Sequence, residues 1–242
     1  LAAQFSLEAS LLFFAAVTAL AFLATLLWVP SLPVHQVLSY GSQLAVLKKP
    51  VVWQAILAVV FMNGAVFGVL SYRADYLDRV TGLNPQNVSL LLLLYGLANV
   101  VGSYISGGLL IRFPRSSVQA FPFVLAALYG LLSLAGTSAS FTALVILLWG
   151  ILGGINSNMN QYWLTSSAPE AAAFANGLFL TAANLGTMAA SLLCGQLIDR
   201  YGTSFVLSGG VFFAAVSALF IFWRTSQSGT PISVLQKGGN VL

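Results

Sequence analysis

Asparagine recurs inside the long apolar runs of this 242-residue chain, at Asn63, Asn99, Asn156, Asn160 and Asn184. Asn156 and Asn160 share a spacing with Trp149, Gly153 and Trp163 that places all five on one face of a helix. An amide both donates and accepts, and an indole ring stacks on the apolar side of a solute. Asn63, Asn99, Trp149, Asn156, Asn160 and Asn184 are therefore the residues suited to binding a small neutral polar molecule. The same amides can instead bond helix to helix, at about 0.6 kcal/mol each inside a membrane. Both readings stay open at this point.

Catalytic chemistry lacks its residues. The only histidine, His35, lies in a polar stretch between apolar runs, so neither a His-dependent triad nor a histidine metal cluster can form. There is no Gly-rich phosphate loop, which argues against ATP-driven work, and no cofactor or metal is implied. The single thiol, Cys194, sits inside an apolar run and reads as a small core residue rather than part of a disulfide framework. The net charge of +4 is spread over separate loops without a basic, aromatic-interleaved stripe, so no nucleic-acid partner is expected.

A chain 59% hydrophobic and 6% charged cannot cover a soluble globule, and it needs lipid as its solvent. A bilayer core of about 30 Å calls for roughly 20 apolar residues per helix. Seven such runs are predicted, near 9–29, 51–72, 88–110, 118–137, 141–161, 171–198 and 205–224. The expected class is an all-α polytopic membrane protein, with residues 1–29 as one helix, 30–50 as a linker broken by Pro30 and Pro33, 51–224 as a six-helix bundle and 225–242 as a tail.

Lys48, Lys49, Arg112, Arg115, Arg224 and Lys237 fall on alternate loops with Glu170. Arg73, Arg79 and Arg200 fall on the others, beside Asp75, Asp78 and Asp199. The positive-inside rule puts the first group, and the C-terminus, in the cytoplasm. No ionisable residue lies near the middle of a span, so this part of the protein has no proton carrier of its own. The cluster from Arg73 to Arg79 reads as a solvated group or as a gate at the outer mouth. Seven helices also admit a ligand receptor. A retinal protein is excluded, because all three lysines lie outside the spans.

A faint internal repeat relates Gly107, Leu97 and Ser103 to Gly195, Leu185 and Ser191, each 88 residues later. Gly64-x-x-x-Gly68, Ser103-x-x-x-Gly107 and Ser191-x-x-x-Gly195 are predicted to let helices approach closely. The chain begins at Leu1 rather than Met, and an N-terminally truncated sequence is expected.

The run Gly107-Gly108-Leu109-Leu110-Ile111-Arg112-Phe113-Pro114-Arg115 resembles the cytoplasmic G-x-L-x-D-R-x-G-R-R loop of the major facilitator superfamily. Gly107, Leu109, Arg112 and Arg115 match; Ile111 replaces the acid and Pro114 the glycine. Ala168-Pro169-Glu170, Ala175-Asn176-Gly177-Leu178-Phe179, Ala183-Asn184-Leu185-Gly186 and Gly195-x-Leu197-x-Asp199-Arg200-x-Gly202 together resemble the arabinose and sugar efflux branch of the proton-coupled drug antiporters.

The resemblance implies a twelve-helix exporter of a sugar or drug-like molecule in the bacterial inner membrane, with the proton as coupling ion. This chain would hold the sixth to twelfth helices, and the missing N-terminal half would be its partner. It further implies conformational roles for Gly107, Leu109, Arg112, Arg115, Asp199 and Arg200. The alternatives are an inactive remnant of such a transporter and a seven-helix receptor.

Overall fold

The computed structural model describes residues 7–29, 39–135 and 138–227. The chain through Ser39 and the chain from Tyr40 form separate units. The first contributes helix α1 (Leu7–Trp28). The second contains α2 (Tyr40–Ala45), α3 (Pro50–Leu70), α4 (Arg73–Arg79), α5 (Pro85–Arg112), α6 (Pro114–Ala135), α7 (Ala139–Thr165), α8 (Ala172–Tyr201) and α9 (Val206–Gln227). Seven of these helices are long and apolar enough to cross a membrane, and each lies within about four residues of its predicted span. The protein is an all-α polytopic membrane protein.

The helix boundaries follow from local chemistry. Proline opens α3, α5 and α6 at the first turn, where its missing N–H has no intrahelical partner to lose. Asn84 caps α5 by accepting the backbone N–H of Asn87 at 2.9 Å. Gly202, at φ +94°, stops α8 in a conformation that a side chain would strain.

Two stretches expected as loops contain helix. Residues 40–45 of the linker form α2, and α4 occupies the middle of the Tyr72–Gln86 connection. α4 is held because Tyr76 and Leu77 are buried and the Tyr76 hydroxyl donates to the Leu132 carbonyl at 3.1 Å. Burial raises the Tyr76 phenol above its ordinary pKa, so it stays a neutral donor. His35, Lys237 and most of the tail lie outside the described residues.

α3 is the central element, packed against α7, α8 and α9. Its crossing with α8 and the crossing of α5 with α7 are the closest in the bundle, and glycine makes both. A Cβ on Gly186 would overlap the Val60 carbonyl, and one on Gly68 would overlap Ala190. In the other crossing a Cβ on Gly102 would overlap the Ile151 carbonyl, and one on Gly154 the Asn99 carbonyl. Gly107 faces open space, so of the predicted Ser103–Gly107 pair only Ser103, whose backbone N lies against Gly154, takes part in the close approach on α5, together with Gly102.

One side of each crossing keeps the spacing of the internal repeat. Positions 98 and 102 on α5 lie 88 residues before positions 186 and 190 on α8, the offset of the sequence repeat. In one crossing Gly186 and Ala190 meet Val60 and Gly68; in the other Ala98 and Gly102 meet Gly150 and Ile151.

Candidate functional site

Three of the asparagines form one chain of amides. Asn160 donates to Asn156 Oδ1 at 3.1 Å, one helical turn away on α7. Asn156 donates to Asn63 Oδ1 on α3 at 3.3 Å. Asn63 then donates to the Ala183 carbonyl at 2.7 Å and to Thr187 Oγ1 at 3.0 Å, both on α8. All three amides are buried, with relative exposures of 6% for Asn63, 0% for Asn156 and 4% for Asn160. Each terminal N–H₂ thus finds an acceptor, which is what burial of an amide requires.

The α5–α7 crossing carries different side chains. A Cβ on Gly153 would lie 2.8 Å from the Tyr95 hydroxyl and 2.9 Å from Asn99 Nδ2. Tyr95 and Asn99 precede Ala183 and Thr187, the acceptors of Asn63, by 88 residues. Asn99 is half-buried there. Trp149, buried beside it, meets Tyr95 edge-on at 6.1 Å and Tyr129 at 5.6 Å, and the Tyr129 hydroxyl donates to the Ala65 carbonyl at 2.6 Å.

The face of α7 that carries Trp149, Gly153, Asn156, Asn160 and Trp163 is therefore one face, as the spacing requires, and it is covered by the bundle. Asn184 stands apart, exposed on α8 and bonded to the Leu180 carbonyl of its own helix. Asn158, which lies off that face and carries no spacing signal, donates to the Ser103 carbonyl at 3.1 Å and Ser106 Oγ at 2.6 Å, tying α7 to α5.

The amide chain ends at the wall of a cavity. This space of about 370 Å³, open on one side, lies where α3 ends and is lined by Phe67, Leu70, Ser71, Arg73, Leu92 and Thr187. Thr187 is both the last acceptor of the amide chain and part of this wall. The Arg73 guanidinium lies over the Tyr95 ring at 4.9 Å, half-buried. Ser71 and Ser191 share a hydroxyl–hydroxyl bond of 3.1 Å, and the Tyr72 hydroxyl donates to the Ser191 carbonyl at 2.9 Å. Phe67, Ser71, Leu92 and Thr187 carry no spacing signal in the sequence, because three separate helices bring them together.

The opposite end of the bundle is stapled by polar contacts. Lys49 pairs with Glu170 at 2.6 Å, both about half exposed, and places the starts of α3 and α8 side by side. Arg115 donates to the Thr225 carbonyl at 3.0 Å, and Gln54 to Gln227 Oε1 at 2.9 Å. Arg224, expected among the loop charges, is instead buried in α9. It donates to the Trp163 carbonyl at 2.7 Å and lies 3.9 Å over that residue's ring. Of the loop-motif residues, Leu109 packs on the core and Arg112 is exposed. Asp199 and Arg200 are exposed at the end of α8.

Among the described residues, Lys48, Lys49, Arg112, Arg115 and Arg224 share their end of the bundle with one acid, Glu170. Arg73, Arg79 and Arg200 share the other end with Asp75, Asp78 and Asp199.

The model of the Major Facilitator Superfamily matches residues 1–191. The chain is 29% identical over 177 residues to the transcription regulatory protein OpdE of Pseudomonas aeruginosa, covering 73% of this chain and 43% of that one. It is 28% identical over 206 residues to a probable sugar efflux transporter of Helicobacter pylori, covering 83% and 51%. It is 26% identical over 194 residues to the inner membrane transport protein YdhP of Escherichia coli, covering 80% and 50%. The chain spans about half the length of the curated relatives it matches. A match that runs from the first residue into α8, on a bundle of membrane-spanning helices, makes this chain a member of the Major Facilitator Superfamily.

Proposed function

We propose that residues 51–224 are one of the two bundles of a proton-coupled secondary transporter that exports a small polar molecule, sugar or drug-like, across the bacterial inner membrane. The observation that carries this reading is the amide chain Asn160–Asn156–Asn63–Thr187, which joins three helices and ends at an open cavity. Rocking of this bundle against a second one would open and close the route to that cavity. Asn99, Trp149 and Asn184 complete the proposed polar surface from α5, α7 and α8. The names of the H. pylori and E. coli relatives, an efflux transporter and an inner membrane transport protein, agree with it.

The charge asymmetry between the two ends supports a cytoplasmic C-terminus and a cytoplasmic position for Lys49, Arg112 and Arg115. In this reading Gly107, Leu109, Arg112 and Arg115 act at the cytoplasmic end of α5, and Asp199 and Arg200 at the outer end of α8, where each pair of helices shifts. The proton-carrying acid belongs to the other bundle, because the mid-span positions here are amides and hydroxyls.

The test is export by the intact transporter carrying Asn156→Ala or Asn160→Ala, measured together with the amount of protein inserted in the membrane. Weakened export with normal insertion supports the proposal. Equal loss of both would make the amide chain purely a structural tie.

A further inference from the structure

We infer that the cavity at the end of α3 takes an amphipathic organic anion, its carboxylate or sulfonate set on Arg73 and its apolar body against Phe67, Leu70 and Leu92. This deepens the transport reading and rests on it for the role of the site. Three observations lead there.

Arg73 is a half-buried guanidinium on the cavity wall, and among the described residues it belongs to no ion pair. Asp75 and Asp78, on the same short helix, are exposed and form no ion pair with it. A guanidinium held partly out of water gains most from an oxyanion, which can accept two of its N–H groups in parallel. Tyr95, 4.9 Å beneath it, fixes the guanidinium by its ring face and leaves its edge donors for a ligand.

The remaining walls divide by chemistry. Phe67, Leu70 and Leu92 are apolar, while Ser71 and Thr187 present hydroxyls. A space of about 370 Å³ admits one ring system with a polar head. A neutral polar solute would leave Arg73 without a counter-charge, so the cavity discriminates between a charged solute and its neutral isostere.

Phenyl β-glucuronide and phenyl β-glucoside differ in a carboxylate against a hydroxymethyl group and serve as probes. Equilibrium binding of each to the intact purified protein is measured by titration calorimetry. The glucuronide is expected to bind about tenfold more tightly than the glucoside, the range of one charge-assisted contact. Arg73→Gln should bring the glucuronide down to the glucoside and leave the glucoside unchanged, and Arg73→Lys should restore part of the difference. Phe67→Ala should weaken both probes alike.

Equal binding of the two probes, no binding of either, or a preference that survives Arg73→Gln overturns the inference. In the last two cases Arg73 would be left to pair across the mouth with another part of the protein. Binding is read apart from transport: a protein that prefers the glucuronide yet exports nothing would refute the transport reading and leave this one standing.

Discussion

Asn156 donates its side-chain amide to Asn63 Oδ1 across 3.3 Å, and this bond ties α7 to α3 in the middle of the bundle. Inside a membrane the separated state also finds partners for an amide, so the bond's net contribution is modest. A double-mutant cycle with Asn63→Ala and Asn156→Ala, read from thermal unfolding in detergent, should give a coupling of about 0.6 kcal/mol and no more than about 1.7 kcal/mol. Export is expected to fall by a larger factor than this coupling explains. Proportional losses would assign the pair to packing alone.

Gly154 lies where its missing Cβ would overlap the Asn99 carbonyl, a backbone atom that cannot swing aside. Gly154→Ala should therefore cost about 1–3 kcal/mol, seen as a lowered unfolding temperature. Gly107→Ala is the control. Open space surrounds that position, and alanine favours the helix by about 1 kcal/mol, so stability should hold or rise. A Gly107→Ala variant of normal stability that loses export would locate a conformational role at this end of α5.

Arg224 closes the end of α7 by donating to the Trp163 carbonyl at 2.7 Å and to Ser166 Oγ at 3.3 Å, with the Trp163 ring beneath its guanidinium. Arg224→Leu should destabilise the protein by about 2–3 kcal/mol, since a charge-assisted bond and the stacking both vanish. Arg224→Lys keeps the charge but not the planar fork and should recover less than half. With Trp28, Trp53, Trp149 and Trp223 replaced by Phe, Trp163 fluorescence reports the change. An unaltered spectrum in Arg224→Leu would contradict the stacked geometry.

Lys49 and Glu170 face water on about half of their surface, so their 2.6 Å pair should contribute only about 0–1 kcal/mol. Lys49→Gln is expected to shift the unfolding temperature slightly, and 1 M salt should erase the difference between variant and native protein. Exchanging the two residues, Lys49→Glu with Glu170→Lys, should restore stability. A large loss in the single variant that persists in salt would show a further role for Lys49.

The sequence by itself determined the class and the spans. Lipid admits an unbroken run of about 20 apolar residues only as a helix, and the helices start at Pro50, Pro85 and Pro114, one to four residues ahead of the predicted 51, 88 and 118. It also determined which loops carry net positive charge, because that is a matter of order along the chain. The heptad of Trp149, Gly153, Asn156, Asn160 and Trp163 was legible as a face for the same reason.

Only the tertiary structure decided what each face meets. A helix apolar all round shows no stripe that separates a lipid-facing side from a protein-facing one, since lipid tails are as apolar as leucine. Thus Asn184 and Asn158 look alike in the sequence, yet one is exposed on α8 and the other bridges two helices. Gly102 and Gly107 look alike too, and only Gly102 has a backbone pressed against it. The cavity bordered by Phe67, Arg73, Leu92 and Thr187 exists because α3, α4, α5 and α8 converge there, a relation between distant segments that no local spacing encodes.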